Sequence, residues 1–288
     1  MTSIPDILSV VLRAIAFCLL FQAAGVGLFL AVFRAGLKDS LPDIRRAALV
    51  AAAAALIVLT AHFLLEAARM AGDFSGAMDV ALQRTALRSA TGAAFGLRVA
   101  GLLLVGFAAK RPSERFRLAG PLGALLAAAS FIITGHTSVH SYRPVLAAML
   151  MTHVLAGMFW FGSLWPLHLA VRREARERAG RTIAAFSFVA GWSVPLIFAA
   201  GVVMTAILVP DLATFAKPYG VLLITKALLF AALMGLAAAN RWRFGPGMAS
   251  GDPRVARQFQ AAVATEIVLI CAVLAVTACL TTFFSPDA

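Results

Sequence analysis

The chain carries five histidines, and four of them are spaced in ways that could hold a metal ion. His136 and His140 share the short polar stretch "TGHTSVHSYRP" between two long apolar runs. His153 follows about two turns into the next run, at a helical rise of about 1.5 Å per residue. His62 and Glu66 stand at i and i+4 in "HFLLEAAR", which puts an imidazole and a carboxylate on one face of a helix. Imidazole and carboxylate suit a borderline ion such as Cu(II) or Zn(II). Thioether sulfur, here Met149 one turn before His153, favours Cu(I). Each signal alone is weak, and the weight lies in their clustering towards one end of their helices. His168 stands apart, beside a run of arginines.

A second set of residues is charged and interrupts apolar runs: Arg13, Arg98, Lys226 and Glu266. A charge at bilayer depth costs about 3 kcal/mol or more, so each is expected to face the bundle interior and find a partner. Lys226 and Glu266 fall on consecutive runs and form the expected ion pair, as a structural lock or as a polar path below the metal site. Cys18, Cys271 and Cys279 lie in apolar stretches without C-x-x-C spacing and read as small buried hydrophobes.

The elements that must position these groups follow from composition. Of 288 residues, 61% are hydrophobic and only 13% charged, with a mean hydropathy of +0.91. A soluble domain has about a quarter of its residues charged, so this is a polytopic membrane protein. A spanning helix takes about 20 apolar residues. Eight stretches qualify, near 6–33, 47–70, 89–109, 118–135, 145–170, 182–208, 219–240 and 258–283. No Lys or Arg precedes the first, and it exceeds the apolar core of a signal peptide, so it is expected to stay as a span. Pro144 and Pro218 fit first helical turns, and Pro195 is expected to kink the sixth span.

The net charge of +12 comes from basic residues in the gaps between apolar runs, which is no footprint of nucleic-acid binding. The odd-numbered loops hold most of them: Arg34, Lys38, Arg45 and Arg46, then Lys110 to Arg117, then Arg172 to Arg181, then Arg241 to Arg257. The even-numbered loops hold only Arg69, Arg84 and Arg88, then Arg143, then Lys217. By the positive-inside rule the odd loops face the cytoplasm, and both termini with the histidine loop face the periplasm. The expected fold is an all-α bundle of eight transmembrane helices in one membrane domain, residues 1–288. The third span, "GAAFGLRVAGLLLVGFAAKR", parallels the seventh, "GVLLITKALLFAALMGLAAANR", which suggests a 4+4 repeat over 1–135 and 145–288.

At this point the residues carry a resemblance. "HVLAGMFWFGSLWPL", with His153, Trp160 and Gly162, looks like the signature helix of the copper resistance protein D family. "PYGVLLITKALLF" supplies Tyr219, Gly220 and Lys226, "AAANR" supplies Asn240 and Arg241, and Glu266 stands where the family has a glutamate in its last helix. The "GHTSVH" loop resembles the polar loop placed before the signature helix. The resemblance spans about residues 145–284 and implies a bacterial inner-membrane copper-handling protein. It also implies a periplasmic copper-binding partner, which is not fused to this sequence.

The expected function is copper transport, with copper accepted at the periplasmic face in two steps. His136 and His140 would capture the ion, and a deeper site with His153 would receive it, with His62, Glu66 and Met149 as contributors. One alternative is a b-type cytochrome using His62 and His153 as axial haem ligands. Another is a membrane anchor for a periplasmic copper carrier that transports nothing. The sequence contains no P-loop and no nucleophile–base constellation, so no enzyme activity is expected.

Overall fold

The computed structural model describes residues 3–111, 113–135, 140–209, 211–244 and 253–284. His136 lies outside the described residues. Within them the chain forms nine α-helices: α1 (Ile4–Phe33), α2 (Leu41–Ala71), α3 (Val80–Arg88), α4 (Ala90–Lys110), α5 (Ala119–Ile132), α6 (Arg143–Arg173), α7 (Arg176–Leu208), α8 (Pro218–Ala239) and α9 (Pro253–Phe283). All but the short, amphipathic α3 are long and apolar enough to cross a membrane. The chain is therefore an all-helical multi-pass membrane protein.

Helix ends follow local chemistry. Ser3 and Asp6 form a reciprocal capping box at the start of α1. Pro144 and Pro218 sit in first turns, where a missing N–H costs nothing. Gly72 ends α2 at φ 84°, a left-handed position that favours glycine. Several helices outrun the apolar stretches that announced them: α2 starts at Leu41 and α7 at Arg176. Their first turns carry Asp43, Arg45 and Arg46, or Arg176 to Arg181, polar residues that hydropathy counts as loop but that remain helical outside the hydrocarbon.

Helix α1 is the hub. It packs against α2, α4, α5, α6 and α9, and Leu20, Val26 and Phe29 are fully buried in the core. The α1–α6 crossing depends on small residues. A Cβ on Gly25 would collide with the Met158 carbonyl, and one on Gly162 would collide with the Gly25 backbone. This close approach lets dispersion act where no hydrophobic force exists between helices in lipid. By contrast α7 and α8 are peripheral, and Phe188, Trp192, Phe198 and Leu228 face outward to lipid.

At the face of the bundle with the basic loops, a carboxylate ties two loops together. Glu174, just past α6, has a fully buried side chain. It accepts hydrogen bonds from the Lys38 N–H at 2.8 Å, the Ser40 N–H at 2.9 Å and the Ser40 hydroxyl at 2.7 Å. Arg178 completes the clamp at 3.0 Å. Burial alone would raise this carboxyl's pKa, but the Ser40 and Lys38 hydrogen bonds and Arg178 outweigh it and hold it at about 2.

Candidate metal centre

The helical spacing of His62 and Glu66 does put them side by side, with Nε2 and Oε1 3.9 Å apart. Between them and the neighbouring helix, however, stands Arg13. Its Nε–H donates to His62 Nε2 at 3.3 Å and its Nη2 lies 3.6 Å from Glu66 Oε1. The Ser9 hydroxyl also lies 3.2 Å from His62 Nε2. Arg69 extends the cluster, bonding Glu66 Oε2 at 3.3 Å and Asp6 Oδ1 at 3.0 Å. Arg13 further donates to the Thr281 carbonyl on α9 at 3.2 Å. A second cation, Arg98, donates to the Ser130 hydroxyl at 2.9 Å and rests over the Phe131 ring.

This cluster joins α1, α2 and α9 at the face where α1 begins and α9 ends. Its chemistry is that of an ion-pair lock. The lone pair of His62 Nε2 already accepts the arginine N–H, and a bound cation would have to displace Arg13. Asp6, Ser9 and Arg69 were not expected here. Asp6 reads in sequence as a residue ahead of a span and Arg69 as a loop cation, and only the α1–α2 register brings them together.

His153 is different. Its Nδ1 lies 2.9 Å from the Ile197 carbonyl on α7, so Nδ1 carries the proton and donates. Nε2 is left as the acceptor and makes no hydrogen bond to the described residues. An imidazole fixed through a carbonyl in this way is the usual arrangement of a metal-ligating histidine. Gly201 of α7 lies beside the ring, where a Cβ would stand 3.7 Å from His153 Cε1 in ordinary van der Waals contact. Lys226 on α8 lies within electrostatic reach.

The remaining candidates stand apart. His140 precedes α6 and accepts the Tyr142 N–H on Nδ1 at 3.1 Å, so its proton sits on Nε2. Coordination through Nε2 would require that hydrogen bond to open. Met149 is half-buried one turn from His153. His62 turns to α1 and His153 to α7, so the structure does not present them as a facing pair for haem. Among the described residues no group of three or more His, Cys, Asp or Glu could hold a metal ion.

The expected Lys226–Glu266 pair does not form. Glu266, buried at 3% exposure, accepts a short hydrogen bond from Asn240 Nδ2. The antiparallel register explains the failure. Asn240 lies opposite Glu266, and Lys226 is about 21 Å further along the helix at 1.5 Å per residue. Asn240 opens a π-helical turn, and its Oδ1 is buried without a partner among the described residues. Arg241, next in sequence, reaches across to the Ser187 carbonyl of α7 at 2.9 Å.

Comparison with known families agrees with the expectation from these motifs. The family model described as "Copper resistance protein D" matches residues 180–280, which carry Lys226, Asn240, Arg241 and Glu266. The model described as "Copper resistance protein D-like, N-terminal domain" matches residues 4–142, which carry the Arg13–His62–Glu66 cluster. All of α6, with His153, lies between the two matched segments. Comparison with curated proteins and with solved structures gave no match. With matches at both ends of an eight-span helical bundle, the chain belongs to the copper resistance protein D family.

Proposed function

We propose that the protein moves copper across a bacterial inner membrane, accepting it at the periplasmic face and passing it to His153 within the bundle. The observation that carries this reading is the His153 ring. Its Nδ1–H is fixed on the Ile197 carbonyl, and its Nε2 has no hydrogen-bond partner among the described residues. The loop before α6 captures the ion through His136 and His140, and Met149 adds a sulfur donor for Cu(I) between loop and His153. Helix α6 runs unbroken from Arg143, so His153 is roughly 13 Å from its first turn and one coordination sphere cannot span both places. Two sites in series follow.

The Arg13–His62–Glu66–Arg69 cluster supports the site by locking α1, α2 and α9. A periplasmic copper-binding protein is the natural donor, docking on the loops that hold His140. Metal analysis with an absorption spectrum of the purified protein tests the reading. Copper without a Soret band is expected. A Soret band would establish haem, and neither copper nor haem after copper loading would remove the metal reading.

A further inference from the structure

At the face with the basic loops, a cleft opens between the ends of α1 and α4 and the starts of α2 and α5. Three guanidinium-bearing residues line it: Arg34 just past α1, Arg45 in the second turn of α2 and Arg117 shortly before α5. Ser113 is the remaining polar residue of its wall, and no Asp or Glu lines it among the described residues. The rest is apolar, including Leu30, Val105 and Phe116. Gly27 and Gly120 meet in it, where a Cβ on either would come within 3.2 or 3.1 Å of the other's backbone.

The charges in the cleft are out of balance. Glu114 of the α4–α5 loop pairs with Arg34 at 3.2 Å, and its side chain stays 74% exposed. The side chains of Arg45 and Arg117 make no hydrogen bond or ion pair among the described residues. Like charges around one cleft repel, and an anion between them relieves that repulsion. The start of α5 adds to the pull. No side chain caps it, so its first N–H groups keep a partial positive charge beside Gly120. The positive-inside rule explains cations at this face. It does not explain why three of them line one apolar cleft that holds no acid.

We infer that this cleft binds the phosphate of an anionic phospholipid, with Arg45 and Arg117 as its main partners and Ser113 as a hydroxyl donor. Guanidinium meets phosphate through paired N–H···O bonds. Basic pockets between spanning helices are suited to lipid headgroups. Leu30, Val105 and Phe116 then pack against the glycerol and the first methylenes. A free phosphate would meet the same arginines but leave those apolar walls in water, which favours the lipid.

The site needs no copper, and neither does its test. The purified full chain in mild detergent is offered equal amounts of phosphatidylglycerol and phosphatidylcholine, and retained lipid is identified by native mass spectrometry. Phosphatidylglycerol is expected to be retained in preference. Arg45→Gln with Arg117→Gln should lower its affinity about thirtyfold, from the attraction of anionic lipid to two arginines. Arg172→Gln with Arg176→Gln removes the same charge from the α6–α7 loop at the same face and should leave retention unchanged. Equal retention of the two lipids by the parent overturns the inference. So does an equal loss in both double variants, which would assign the attraction to the face as a whole. Displacement of the lipid by inorganic phosphate at equal concentration would make the ligand a free phosphate and overturn the lipid assignment.

Discussion

At the scale of single residues, the structure separates two kinds of polar group that sequence alone lumps together. His62 and Glu66 are held by arginines, whereas His153 is fixed by a backbone carbonyl and its other nitrogen has no hydrogen bond among the described residues. The same distinction applies to the buried charges. Glu266 is partnered by an amide rather than by a cation. Lys226→Met and Glu266→Gln are therefore expected to act independently. Their effects on thermal stability should add within about 0.5 kcal/mol, as for distant sites. Recovery of stability in the double variant, measured by thermal unfolding in detergent, would mean that the two charges do meet. The i, i+4 face of His62 and Glu66 was legible because helix geometry is local. Arg13 between them was not, because an α1–α2 contact across many residues leaves no mark in spacing.

At the scale of helices, existence and order were legible in hydropathy, and register was not. Eight apolar runs announce eight spans, but nothing in an apolar run says which residue of α8 lies opposite Glu266 on α9. The close α1–α6 crossing depends on Gly25 and Gly162. Gly162→Leu overpacks that contact and should cost about 1–3 kcal/mol with a lower folded yield. A stability equal to the parent's would show that the helices are not in such close contact. The Glu174 clamp gives a pH signature at the other end of α6. Its carboxyl sits at about 2 in the folded chain against an ordinary 4.5, so the stabilisation is complete above about 4.5 and is lost as pH falls towards 2. Glu174→Gln should cost about 2 kcal/mol at neutral pH and flatten the acid limb of the stability profile between those values. An acid limb as steep as the parent's would assign that loss to other groups.

At the scale of the molecule, the bundle is organised around α1, with a charged lock at one face, a carboxylate clamp at the other and His153 between. The basic loops predict the orientation: a reporter fused after Arg176 should read as cytoplasmic and one after Ala288 as periplasmic. Reversed signals would put the His140 loop on the cytoplasmic side and reverse the direction of copper movement. The central claim is that copper passes through His153. Copper flux into proteoliposomes containing the parent protein or His153→Ala, compared at saturating copper, tests it most directly. Flux should be abolished in the folded variant even where the outer loop is intact and copper is in excess. Equal flux in the two proteins would contradict it.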